Sequence, residues 1–257
     1  MAARSSGPLS ESTLEPARRL TTFPHMRNKL LIEAVGTFFL CLAALVASSP
    51  LPVAALLCAL IYMGAPVSLA HYNPAVSLAF RLRGRSSSRA LGSYVAVQLA
   101  AAVLAAMAAG FLLGHDSDHA KGAVDALADS AFADFGAFAV VELLATFALA
   151  FVILMVGTSR LTAGNSYFGL AIAVAVLGLS GTFGDFNPTM NPAVSLAMSM
   201  LGVFSAIFDG LLGTKTFVTE TLFLAKIAPR LLAEVAVQFV GAALAAWFFR
   251  ILFPEDR

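Results

Sequence analysis

Charge is scarce in this sequence, and what there is cancels: Asp, Glu, Lys and Arg make up 12% of 257 residues and leave a net charge of +1. That balance gives no electropositive footprint for a nucleic acid, and no basic cluster interleaved with aromatics adds one. Cysteine is almost missing too. Cys41 and Cys58 both lie in apolar stretches, offer neither a disulfide framework nor a metal-ligand spacing, and read as small core residues. Residues 1–26 lack the apolar core of a signal peptide; their Ser, Pro, Arg and Glu read as a disordered cytoplasmic tail, and Glu11 and Glu15 count against a transit peptide. There is no Ser/His, His-Glu-x-x-His or paired-Asp constellation, so no enzyme is expected and neither cofactor nor metal is implied. His115 and His119 sit in an acidic stretch that reads as a solvated loop.

What the sequence does have is apolar surface. Hydrophobic residues are 59% of the chain and the mean hydropathy is +0.85, which marks an integral membrane protein in a lipid bilayer. Within it one heptapeptide occurs twice: Asn73-Pro74-Ala75-Val76-Ser77-Leu78-Ala79 returns letter for letter at Asn191-Pro192-Ala193-Val194-Ser195-Leu196-Ala197, 118 positions on (191 − 73). So long a repeat in diverged sequence signals a duplicated unit. Asn is a strong helix N-cap and Pro suits the first helical position, so each copy reads as a helix start. The apolar runs that follow, 75–82 and 193–201, are short. At ~1.5 Å per residue, ten residues cover roughly 15 Å, half of a hydrocarbon core about 30 Å thick. Each copy is therefore expected to be a re-entrant half-helix, the two entering from opposite sides.

Six longer apolar segments surround them, at about 30–49, 52–70, 91–113, 135–157, 167–181 and 227–253. Glu33, Thr37 and Phe38 in the first are matched by Glu142, Thr146 and Phe147 in the fourth; Val95-Ala96-Val97-Gln98 in the third is matched by Val235-Ala236-Val237-Gln238 in the sixth. Acid, box and Gln thus recur in one order, over about 28–113 and 135–253. Three spans per half invert the second half against the first. The expected fold is an all-α membrane protein of six transmembrane helices and two half-helices, an inverted repeat forming a single channel domain over 27–257 with its site near the midplane. From box to Gln is 25 positions in the first half (98 − 73) and 47 in the second (238 − 191), so the second carries an insertion at about 202–225, read as an amphipathic lid or interfacial helix. Arg27, Lys29, Arg81, Arg83, Arg85, Arg89 and Arg160 fall on one side of the expected spans, which places both termini in the cytoplasm.

Irregular backbone at membrane depth is tolerated only where it is buried or lines a wet cavity, so the two half-helices imply a pore. Each N-terminus carries roughly half a positive charge. An Asn that caps with its oxygen keeps its amide donors free, so Asn73 and Asn191 are expected to offer donors at the narrow centre, orienting water and repelling cations. A second reading is a proton- or ion-coupled transporter in which the intramembrane acids Glu33 and Glu142 are the coupling groups.

The paired boxes, Glu33-Ala-Val-Gly-Thr-Phe-Phe-Leu, His71-Tyr-Asn-Pro-Ala-Val-Ser-Leu and Gln98 resemble the aquaporin or major intrinsic protein family over about 28–253. The resemblance implies a homotetramer with one pore per subunit, in a plasma (inner) membrane, passing water, glycerol-like solutes or dissolved gases. It also implies that Glu33 and Glu142 accept bonds from the re-entrant backbone, that Gln98 and Gln238 are structural, and that His71 supports one half-pore loop. The sequence departs from the family where Arg usually follows the second box, since Val194 stands there; family spacing puts Val53, Leu179 and Pro188 with it in the outer constriction. A guanidinium about 7 Å from a monovalent cation repels it by roughly 2 kcal/mol at an effective dielectric near 20. Its loss, with four apolar positions in its place, leads to an entrance favouring small uncharged solutes that need little hydrogen bonding.

Overall fold

The computed structural model describes residues 25–113, 135–211 and 217–256, without the side chains of 206, 208–211 and 217–227. The expected tail, the His115–His119 loop and much of the insertion fall outside the described residues. Eight α-helices are described: α1 Met26–Val46, α2 Pro50–Ser68, α3 Pro74–Leu82, α4 Ser88–Leu113, α5 Phe135–Thr158, α6 Phe168–Thr182, α7 Pro192–Leu211 and α8 Phe217–Leu252. Five are long and apolar enough to cross a membrane: α1, α2, α4, α5 and the Ala228–Leu252 part of α8. α6, expected as a full span, has 15 residues, about 22 Å at ~1.5 Å per residue.

The chain is built as a membrane protein is, with small residues inside and large ones outside. On α4 the buried positions are Ala101, Ala102, Ala105, Ala106 and Ala109, while Leu104, Met107, Phe111 and Leu112 face outward. Lipid tails give helices no hydrophobic reason to associate, so small side chains that let backbones approach supply the packing. Gly241 does this between α8 and α5, where a Cβ would come within 2.8 Å of the Leu143 carbonyl.

Contacts obey the repeat. α1 packs on α2 and α4 as α5 packs on α6 and α8; each short helix packs across on the third span of the other repeat, α3 on α8 and α7 on α4. The half-helices differ more than their shared heptapeptide suggests. α3 has 9 residues and stops at Leu82, whereas α7 runs 20 residues to Leu211, past the Leu201 end expected from the apolar run. The sequence beyond Leu201, Gly202-Val203-Phe204-Ser205-Ala206-Ile207, has no Pro or acidic stop, and the helix carries on through the first part of the insertion.

Candidate functional site

Both Asn-Pro-Ala boxes begin helices for the reason their sequence gives. The Asn73 side-chain oxygen accepts from the Ala75 and Val76 N–H groups at 2.8 and 3.3 Å; the Asn191 oxygen accepts from Ala193 N–H at 3.0 Å. The approach to each box is left-handed backbone, with φ of 73°, 50° and 48° at Leu69, Ala70 and Tyr72, and 47° and 53° at Asn187 and Met190. Residues other than Gly rarely adopt it, so the surroundings must hold it.

Two carboxylates do the holding. Glu33 accepts from His71 N–H at 2.9 Å and Tyr72 N–H at 2.8 Å, as well as from Ser68 Oγ at 2.7 Å and Gln98 Nε2 at 2.9 Å. Glu142 accepts from Thr189 N–H at 2.6 Å and Met190 N–H at 3.1 Å, and from Gln238 Nε2 at 3.2 Å. In both loops the bonded amides are the two that precede the Asn. Charge-assisted bonds of this kind contribute about 1.5–3 kcal/mol each, enough to offset several left-handed residues. Tyr72 adds a wedge to the first loop: its ring fills the slot left by Gly36 and Gly64, and its hydroxyl donates to the Leu60 carbonyl at 2.9 Å.

The two loops are also bonded to each other, reciprocally. Asn73 Nδ2 donates to the Met190 carbonyl at 2.9 Å, and Asn191 Nδ2 donates to the Tyr72 carbonyl at 3.0 Å. This corrects the expectation that both amide hydrogens stay free: one on each Asn is spent on the opposite loop, because the preceding left-handed residue turns its carbonyl that way. One hydrogen per Asn remains.

Beside this junction runs a cavity of about 660 Å³. Its wall begins at the α1–α2 turn, Ala47 to Pro50, passes Asn73 and Asn191, and ends at Gly157 to Asn165 beyond α5. Successive spans alternate in direction, so those turns lie at opposite ends of the bundle. Val53, Leu57 and Ile61 line it from α2, Phe168, Ile172, Val176 and Ser180 from α6, and Val194 and Met198 from α7. Among the described residues not one Asp, Glu, Lys or Arg does. Polar atoms come from His71, Asn73, Asn187, Asn191, Thr189, Ser180 and the end turns. Ser77 Oγ receives the Gln98 amide at 3.1 Å and lies 3.0 Å from His71 Nδ1, which fixes the ring. His71 Nε2 is buried and has no protein hydrogen-bond partner among the described residues.

Of the outer-constriction positions expected from family spacing, Val53, Pro188 and Val194 line the cavity and Leu179 does not. Leu179 packs against the apolar core instead. The α6 stripe on the cavity advances in fours, 168, 172, 176 and 180, and Leu179 is beside it; a 3-10 turn at Gly184–Phe186 lengthens the link to the second box and defeats counting back from it. Sequence reasoning also passes over Glu234, which is buried on α8 with a carboxyl oxygen 2.6 Å from Ser195 Oγ. Its signal was there: an acid one turn before Gln238 on the same helix face.

Comparison with known proteins bears on what such a site does. The family model described as Major intrinsic protein matches residues 42–249. Aquaporin NIP1-2 of Arabidopsis thaliana is 32% identical over 191 residues, 68% of this chain and 64% of that one. Nodulin-26 of Glycine max is 31% identical over 265 residues, covering 96% and 86%. Against aquaporin NIP1-1 of Oryza sativa subsp. japonica, 34% identical, the chain spans 48% of the relative's length. In fold, the X-ray structure of the aquaglyceroporin from Plasmodium falciparum superposes with a TM-score of 0.67 at 18% identity, over 90% of this chain and 99% of that one.

Proposed function

Because the chain belongs to the major intrinsic protein family, whose members are channels and not enzymes, we propose that it is a passive transmembrane channel for water and small uncharged solutes. The observation that carries this reading is the cavity without a charged lining residue that runs past two cross-bonded Asn. A cation entering it sheds water and finds no carboxylate in exchange, only the positive ends of α3 and α7. A neutral solute needs a few acceptors and donors, and the remaining Asn hydrogens, His71 Nε2 and the loop carbonyls offer them.

Selection falls to the outer end. Val53, Pro188 and Val194 share the cavity wall with Val176 and Ser180 of α6 and with Asn187, so few polar side chains stand among apolar ones. An entrance of this kind discriminates by size more than by hydrogen bonding. The coupled-transporter reading fares worse on one observation: Glu33 and Glu142 are wholly buried, tied to loop backbone, and absent from the cavity wall. The channel unit is 27–257, its two repeats inverted, in a plasma membrane with both termini cytoplasmic and four copies assembled, each around its own pore.

The test is flux through proteoliposomes containing the purified chain. Water, urea, glycerol and ammonia are each followed with and without Val194→Arg. Neutral solutes are expected to equilibrate without uphill accumulation in the native chain, and the substitution to cut solute flux by about tenfold while sparing water more. Fast water flux with no other solute passing would refute the apolar entrance, and uphill accumulation driven by a pH gradient would refute passivity.

A further inference from the structure

Behind the second half-pore loop there are two carboxyl groups where the first has one. Glu33 is complete as an ion: four donors reach it from Ser68, His71, Tyr72 and Gln98, and each carries a hydrogen that points only one way or is free to do so. The second loop holds Glu142 and, facing it across the same hydroxyl, Glu234. Thr189 Oγ1 lies 3.2 Å from Glu142 Oε1 and 3.0 Å from Glu234 Oε1. The position that corresponds to Glu234 in the first repeat, four before Gln98, is Tyr94, whose neutral hydroxyl donates to the Ser68 carbonyl at 2.9 Å.

Hydrogens can be counted in this cluster. Glu142 Oε1, Glu234 Oε1, Thr189 Oγ1 and Ser195 Oγ make four close oxygen contacts: Thr189 to Ser195 at 2.6 Å, Ser195 to Glu234 at 2.6 Å, and the two from Thr189 to the carboxyls. Two hydroxyls supply two hydrogens, so with both acids ionised two of the four contacts set lone pair against lone pair beside two negative charges in a medium that solvates neither. One added proton leaves a single such contact, Thr189 Oγ1 to Glu234 Oε1 at 3.0 Å. The Gln238 amide reaches Thr189 Oγ1 at 2.7 Å and Ser195 Oγ at 2.9 Å, which fills acceptor sites on the hydroxyls and leaves their own hydrogens to be passed on.

We propose that Glu142 and Glu234 hold one proton between them, that Glu234 carries it, and that Glu234 is thereby a positioning residue for the second half-pore loop. Glu142 accepts from the backbone N–H groups of Thr189 and Met190, donors that cannot reverse, so it is the ion. Glu234 is bonded to hydroxyls and to the Gln238 amide, and a hydroxyl can turn to accept. One extra proton then forms a directed relay: Glu234 donates to Ser195, Ser195 to Thr189, and Thr189 to the Glu142 carboxylate. The relay covers both 2.6 Å contacts and fixes the rotor of Thr189, a residue of the cavity wall. Among the described side chains, the charges beside the pair are Arg230, one turn earlier on α8, and the two carboxyls themselves.

The proton is read directly by infrared spectroscopy of the purified full chain in lipid at neutral pH, a measurement that does not depend on the channel reading. The native chain is expected to show the carbonyl band of a protonated carboxyl, shifted in heavy water and lost in Glu234→Gln. Flux rests on that reading and supplies the second arm. Glu142→Gln, which strips charge from two buried amide bonds, is expected to lower flux by about tenfold or more, and Glu234→Gln, which keeps a neutral donor and acceptor but loses the acid, to lower it by less. Absence of the band from the native chain, its survival in Glu234→Gln, or failure of Glu234→Gln to fold where Glu142→Gln does would each overturn the assignment. No flux from a native chain that shows the band would remove the channel reading and leave the shared proton in place.

Discussion

Leu179 and Ser180 are adjacent in sequence, and the step of about 100° between them on a helix decides which one a solute meets. Ser180 and Val176 are on the cavity wall and Leu179 is not, although Val176 and Leu179 are both half-buried against the apolar core. Val176→Trp is therefore expected to reduce solute flux by about tenfold or more and Leu179→Trp to leave it within about twofold, each costing about 1–3 kcal/mol by overpacking; flux and thermal unfolding of the two variants side by side decide it. The boxes themselves were legible because an Asn cap and a Pro at the first helical position have one local meaning, and the local bonds at Asn73 and Asn191 follow it. Leu179 was misplaced because its position depends on a connection, and the 3-10 turn at Gly184–Phe186 that lengthens this one has no counterpart before the first box. The donation of each Asn to the opposite loop was not legible at all, since it depends on where two segments 118 residues apart come to rest (191 − 73).

At the scale of elements, the repeat fixes which helices touch and the glycines fix how closely. Gly241 admits the α5 backbone, with the Leu143 carbonyl 2.8 Å and the Phe147 nitrogen 3.1 Å from where a Cβ would stand. Backbone cannot step aside as a side chain can, so Gly241→Val is expected to destabilise by about 1–3 kcal/mol, read as a lower unfolding midpoint in detergent. Gly178, on a surface with nothing within 4 Å of an added Cβ, is the control, and Gly178→Ala is expected to leave the midpoint unchanged or slightly raised. Helix existence was legible from apolar length alone. Helix ends were not: α7 passes its expected stop at Leu201, because an apolar run followed by more helix-compatible sequence carries no punctuation.

For the molecule as a whole, one carboxylate near the end of the described chain gathers three arginines from two distant segments. Asp256 pairs with Arg83 at 2.8 Å, Arg85 at 3.2 Å and Arg160 at 3.6 Å, and Arg83 stacks its guanidinium over Phe249 at 4.3 Å. Burial opposes charge on Asp256, but the Arg160 backbone N–H and the Arg83 guanidinium outweigh it and hold the carboxyl below its usual 3.8. The folded chain therefore binds that proton more weakly than the unfolded one; the stability this contributes is present above 3.8 and drains away as pH falls through the folded value. Asp256→Asn is expected to lower the unfolding midpoint by about 5 °C at neutral pH and to flatten its decline in acid, measured by thermal unfolding across pH.

The exchange of hydrogen bonds between the asparagines and the carbonyls opposite has a symmetry of its own. A half-turn carries either bond onto the other, the isologous relation found where two identical subunits meet. Two copies of one repeat, related by that half-turn, would meet through the same pair of bonds, so the seam has the form of a homodimer contact held within a single chain.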